Sequence, residues 1–281
     1  MGRWIAPRMT RGVFPWRAAR AGLLGFVVLT FLYLVLPTFV VLPLSFSNQS
    51  FLSFPPPGFS LRWYRAFADS LDYRLAIWNS VQIGIPVALF ATISGTMAAL
   101  ALTRGHLPLR RVIGSLMLAP LILPQIVLAL GLFPIMARLG LIGSYPAIVI
   151  AHTIVTMPLA LITVSASLKS YAPTLETAAM TMGADPWRVF RFITFPLIRP
   201  GMAIGFIFAF AFSFDELILA IFLTSPATRT VPRLLWEQLN YQVTPVIAAA
   251  TVVLMTGTLC LLLGGAMINR IAERRLRSAP P

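Results

Sequence analysis

Asp215 and Glu216 stand side by side inside an otherwise apolar run from Pro200 to Leu223. A carboxylate within hydrocarbon is costly, so it faces a cavity or a partner. Two uses are open: lining a path for a cationic solute, or pairing with another group to hold helices together. Adjacent helical residues point about 100° apart, so only one of the two can face a given path. Asp215 shares a face with Phe208 and Ala211, which favours it over Glu216. A helix that begins near Pro200 puts Asp215 ~22 Å along its axis. Weaker candidates accompany the pair. Gln125 follows Pro120 and Pro124, which should kink their helix and free backbone carbonyls. It could touch solute, although bonding between helices is the commoner use of such a side chain. Asn79 falls at an outer mouth, and His152 reads as a lone packing histidine.

Little in the chain points to catalysis. Gly143-Ser144 with His152 is a faint nucleophile–base pairing, and no acid orients His152. The only lysine, Lys169, lacks the glycines of a G-x-x-x-x-G-K-[ST] phosphate loop. ATP, if it drives anything here, is bound by another chain. The single Cys260 excludes an intrachain disulfide framework and a Cys-based zinc site. No cofactor or metal is therefore expected on this chain. An ion-coupled transporter working alone is the competing function. It needs a relay of intramembrane carboxylates, and only the adjacent pair is present.

The elements that must carry these residues are membrane helices. The 281 residues are 58% hydrophobic and 11% charged, against about 25% charged in a soluble domain. A spanning helix needs about 20 apolar residues. Six stretches qualify, at about 22–44, 80–103, 112–137, 145–168, 200–223 and 246–268. The expected fold class is all-α, six transmembrane helices within 21–269, flanked by basic tails 1–20 and 270–281. The first stretch is too long for a signal-peptide core and no small-x-small site follows it, so it is read as a retained helix.

The net charge of +14 would suit nucleic acid or a membrane face. Position favours the membrane. Sixteen of the 22 basic residues fall in the two tails, the second-to-third loop and the 169–199 loop, and six on the other side. The positive-inside rule then places both termini in the cytoplasm. On the outer side, Ser47 to Ile77 is expected to hold a short amphipathic helix. Trp and Tyr there, and in Thr224 to Tyr241, suit interfacial belts.

The loop from Lys169 to Arg199 is too polar for lipid but carries helical signals. Thr174 can cap a helix starting at Leu175, with Glu176 complementing its positive end. Thr177, Ala178 and Ala179 follow, the alanines giving a flat, close-approach surface. Gly183 permits a left-handed stop. After Ala184, Asp185 can cap a second helix that has Pro186 at its first position and runs to about Phe195. From the residues alone, an elbow that docks a partner and an interfacial loop without one stay equally open.

This loop resembles the coupling motif of the permeases of binding-protein-dependent ABC importers. That motif reads Glu-Ala-Ala, three residues, Gly, nine residues, Ile, any residue, Leu, Pro. The chain gives Thr177-Ala178-Ala179, Gly183 and Ile193-Thr194-Phe195-Pro196 at the same spacing. Thr177 replaces the family Glu and Phe195 the family Leu, while Glu176 stands one position early. Ser213-Phe214-Asp215-Glu216-Leu217 and Val243-Thr244-Pro245 also resemble the spermidine/putrescine-type branch, in particular the second of its two permeases. The resemblance implies a type I importer permease fold and a second homologous permease subunit. It also implies two ATPase subunits that bind ATP and Mg, and a periplasmic solute-binding protein. Glu176 to Pro186 would form the ATPase-coupling surface. The implied solute is a small organic cation such as a polyamine.

Overall fold

The computed structural model describes residues 16–241 and 243–277. Most of them are helical. The elements are α1 (Trp16–Ser45), α2 (Arg62–Asp69), α3 (Leu71–Arg104), α4 (Arg110–Ile122), α5 (Gln125–Arg138), α6 (Tyr145–Lys169) and α7 (Thr174–Thr181). The remainder are α8 (Pro186–Val189), a π turn (Phe190–Thr194), α9 (Phe195–Asp215), α10 (Ile218–Leu223), α11 (Val231–Tyr241) and α12 (Pro245–Arg277). Five helical segments are long and apolar enough to cross a membrane, and the bent pair α4–α5 makes a sixth if it is one span. The chain is a multi-pass, all-α membrane protein. Tail residues 1–15 and 278–281 lie outside the described residues.

Helices α3, α6 and α9 form the central bundle. Without a hydrophobic force between helices in lipid, close packing of small residues holds such a bundle. Gly95 of α3 lies where an added Cβ would come within 2.7–2.9 Å of Ala160 Cβ, Leu161 N and Met157 O of α6. Gly201 and Gly205 of α9, spaced as G-x-x-x-G, press on Thr163, Ser167 and Ala160 of the same helix. One core cluster, including Ile83, Ile148, Val155 and Leu219, joins α3, α5, α6 and α10. A second, around Ala99, Leu168 and Ile198, closes the end near Arg104. A third, around Phe67, Tyr73 and Leu234, closes the opposite end with α2, α11 and α12. Helix α1 lies apart on α12 and is exposed and apolar along most of its length.

Several boundaries differ from the sequence reading. The second span begins at Leu71 instead of Ser80, because Ser70 Oγ caps it by accepting from Tyr73 N. The third span is not continuous. It breaks at Leu123–Pro124 and turns by 100°. Proline disfavours the helical region for the residue before it, and Leu123 is extended (φ −70°, ψ 137°). Two prolines were expected to kink this helix; Pro120 stays inside α4, and the chain parts at Pro124. The fifth span differs most. The second helix of the 169–199 loop does not stop before Pro196. Pro186 to Asp215 is one helical segment, and α10 follows a break at Glu216–Leu217.

The π turn explains how proline is passed. Within an α-helix, the Pro196 ring would meet the carbonyl of Phe192. The turn at Phe190–Thr194 widens the backbone just before it, with Phe195 N–H donating to Phe190 O. The elbow and the fifth span are thereby one mechanical piece.

The tight α3–α6 contact gives a direct test. Gly95→Leu should overpack backbone atoms and cost roughly 1–3 kcal/mol. Its detergent-solubilised melting temperature should fall clearly. Gly257→Ala, whose added Cβ meets open space, should leave that temperature within error.

Candidate solute path and coupling elbow

Two polar features interrupt the apolar frame: the elbow at the Arg104 end, and a carboxylate pair at the α9–α10 break.

At the elbow, α7 ends at Thr181 and Gly183 takes φ +88°. Ala184 N–H donates to Ala179 O and Gly183 N–H to Met180 O, both at 3.0 Å. This paired arrangement is a Schellman stop, which needs a residue free to be left-handed. Asp185 then caps α8 as expected, accepting from Arg188 N at 3.0 Å, with Pro186 at its first position. Thr174 does not cap. It already lies in α7, after Pro173, and no side-chain cap bond forms there.

Glu176 does not serve the helix end, and it does not point outward. Its carboxylate accepts from Arg104 Nε at 3.1 Å, from Tyr171 Oη at 2.6 Å and from Thr194 Oγ1 at 3.0 Å. Arg104 also donates to Leu168 O at 2.9 Å and lies over the Tyr171 ring. Burial, and then the hydrogen bond to Glu176, push the Tyr171 phenol above its ordinary range. This one carboxylate ties α3, the end of α6, α7 and the π turn together. The elbow shows large apolar side chains to the outside, Met182 82% exposed and Trp187 68%, beside exposed Leu175 and Met180 and the charged Asp185 and Arg188. Thr177, Ala178, Gly183, Asp185 and Pro186 are exposed, Ala184 is half-buried and Ala179 is buried.

At the α9–α10 break the two acids part company. Asp215 is exposed, whereas Glu216 is 4% exposed. Both Glu216 oxygens accept from Leu219 N, at 3.0 and 2.9 Å, and Oε2 also from Ala220 N at 3.3 Å. Glu216 therefore caps α10 at its positive end. His152 is not alone, as the sequence suggested. Its Nε2 lies 3.2 Å from Glu216 Oε2, without hydrogen-bond alignment, and its Nδ1 is 2.8 Å from Ser213 Oγ. Ser144 is not its partner; that hydroxyl donates to Leu141 O at 2.6 Å.

Asp215 borders two grooves. One is lined by Gln125, Phe208, Ala211, Phe212 and Thr258. The other runs past Phe214, Trp236, Leu254 and Thr258 toward α11. Gln125, the first residue of α5, thus shares a groove with Asp215. Asn79 does not join them. It is 5% exposed, donates to the carbonyls of Ala227 and Arg229 at 3.0 Å each, and accepts from Tyr145 Oη at 2.7 Å. With donors and acceptor matched, Asn79 pins the α10–α11 loop and leaves little for a solute. Arg229 continues that pinning through Asp72 at 2.9 Å and Glu237 at 3.1 Å. Among the described residues, no group of three or more His, Cys, Asp or Glu could hold a metal ion.

Sequence reasoning missed the partners of Glu176 and of Glu216. The rule that ionisable groups within spans pair with one another would have joined His152 to Glu216. No comparable rule joins Arg104 to Glu176 across 72 residues.

Comparison with known proteins agrees with this architecture. The chain is 31% identical over 271 residues to the putrescine transport system permease protein PotI of Escherichia coli K12, covering 94% of each chain. It is 25% identical over 246 residues to the spermidine/putrescine transport system permease protein PotC of the same strain, covering 88% of this chain and 93% of that one. A solved bacterial ABC transporter for the acidic polysaccharide alginate shares the fold at a TM-score of 0.68, 16% identity and 91% coverage of this chain and 98% of that one. The family model for the binding-protein-dependent transport system inner membrane component matches residues 84–278. The chain belongs to that family, as a membrane permease component of an ABC-type importer that couples to a nucleotide-binding partner.

Proposed function

We propose that this chain is one half of the solute path of an importer for a small organic cation of the polyamine type, moved by ATPase subunits that grip the 174–196 elbow. In this reading α4 and α5 together form one span, giving six. Both termini and the elbow lie in the cytoplasm, as the distribution of arginines requires. The working complex contains a second homologous permease, two ATPase subunits that carry ATP and Mg, and a periplasmic binding protein. The chain resembles the second permease of the PotC/PotI type.

One observation carries the coupling half of the proposal. Pro186 to Asp215 is one helical segment, so a displacement of Trp187 moves α9 as a unit, and α7 is fastened to that segment through the Glu176–Thr194 bond. Its Schellman turn and the Glu176 cluster remove the slack that would absorb such a displacement. With Glu176 turned inward and Thr177 in the family's acidic position, the contact with the ATPase rests on apolar knobs and on Thr177, Ala178 and Ala184 to Pro186.

The solute half rests on Asp215. Its carboxylate is exposed at the edge of grooves that also hold Phe208, Phe214 and Trp236. An anion among aromatic faces suits an organic cation, through charge and cation–π attraction. PotC and PotI are named for spermidine and putrescine transport, which accords with that chemistry.

Two outcomes check these halves. Gly183→Pro cannot adopt φ +88° and should leave the complex assembled while solute-dependent ATP hydrolysis and uptake fall at least tenfold. Normal coupling in reconstituted vesicles would end the lever reading. Asp215→Asn should raise the KM for labelled putrescine about tenfold with assembly unchanged. An equal loss of assembly and uptake would show that Asp215 is a packing residue.

A further inference from the structure

We propose that His152 and Ser213 are positioning residues that hold the break in the fifth span through Glu216, and that this break is what turns Asp215 toward the grooves. The proposal rests on the reading of Asp215 given above, but its geometry stands by itself. The fifth span could run unbroken through Asp215 to Leu223, since no proline or glycine lies between them. It breaks after Asp215 with Glu216 extended (φ −75°, ψ 121°), and α10 restarts two residues later. A break inside hydrocarbon leaves backbone amides that must find partners. The Glu216 carboxylate supplies them at Leu219 N and Ala220 N.

A carboxylate 4% exposed needs further support. His152 on α6, itself 1% exposed, brings Nε2 to 3.2 Å of Glu216 Oε2. That approach is a close contact without hydrogen-bond alignment, while Nδ1 and the Ser213 hydroxyl are hydrogen-bonded at 2.8 Å, their roles set by the ring tautomer. Ser213 therefore sets the ring, the ring supports Glu216, and Glu216 caps α10. Three successive links join α6, the last turn of α9 and the first turn of α10. Asp215 lies within this clamp in sequence, and among the described residues its side chain makes no hydrogen bond, so its direction follows from the clamp. If α9 and α10 joined into one helix, Asp215 would rotate with that helix and Glu216 would lose its place.

The test uses the assembled complex in lipid nanodiscs, with Cys260→Ala to remove the native thiol and Asp215→Cys as reporter. A cationic methanethiosulfonate reagent should modify position 215 rapidly. Adding His152→Ala should slow that modification at least fivefold. His152→Gln, which places an N–H near the Nε2 position, should restore it. His152→Asn, which mimics Nδ1 and keeps only the Ser213 contact, should not. Equal labelling rates in all four proteins would overturn the proposal. So would a loss of assembly with His152→Ala that His152→Gln fails to repair. In parallel, His152→Ala should raise the KM for labelled putrescine in the Asp215 protein and have under twofold effect in the Asp215→Asn protein. Multiplying effects would count against a shared route. Slowed labelling with no KM change on Asp215→Asn would keep the clamp and remove the solute role of Asp215.

Discussion

A backbone amide inside hydrocarbon must be bonded, and this chain breaks apolar helix at two points where that rule applies most strictly. The interruptions at Leu123–Pro124 and Glu216–Leu217 are survivable because each has a local supply of partners. After Pro124, the amides of Val127 and Leu128 bond to its carbonyl at 2.9 and 3.3 Å. After Glu216, a side-chain carboxylate does the same work for α10. The two far halves then pack on each other: Ala129 and Met136 of α5 meet Leu219, Ala220 and Leu223 of α10, with Phe133 edge-on to Phe222. Broken spans that pair in this way enclose irregular backbone within protein, where it can border a groove without facing lipid.

The contrast between the two ends of the bundle follows from what each must do. At the far end, Asn79, Arg229, Arg233 and Glu237 fasten the α10–α11 loop with several bonds of ordinary length. At the elbow end, one carboxylate gathers four elements. Concentrating the links on Glu176 makes the elbow stiff internally without drawing its outward-facing side chains into that cluster. Arg188 and Asp185 pair at 3.1 Å on the exposed side, where such a pair contributes little. The outward face of the elbow thus combines apolar area from Met182 and Trp187 with this one exposed ion pair.

How far the sequence could be read depended on the range of the interaction. Spans were legible because hydropathy is a sum over about 20 adjacent residues. The Gly183 stop and the Asp185 cap were legible because both are settled within one turn of helix. Pro196 misled, since its ordinary meaning as a helix terminator was overridden by a π turn that no local residue type announces. Asn79 misled for another reason: its three partners lie 66, 148 and 150 residues away. The helical wheel favoured Asp215 over Glu216 for the open side, and Asp215 is the exposed member of the pair. The reason was different, because the helix does not continue through the pair.

That difference bears on how specificity can vary in such a chain. On a continuous helix, moving the carboxylate that faces a path requires a substitution three or four residues away. At a capped break, as proposed above, the direction of Asp215 follows from a buried histidine on another helix and from the two amides that Glu216 accepts from. On that proposal, changes at His152 or Ser213 shift the position of the Asp215 charge without altering Asp215 itself. The groove-lining aromatics Phe208, Phe214 and Trp236 remain in place meanwhile. Charge position and aromatic shape are thereby set by separate groups. The groove can then change its charge position while the surfaces that pack the helices stay as they are.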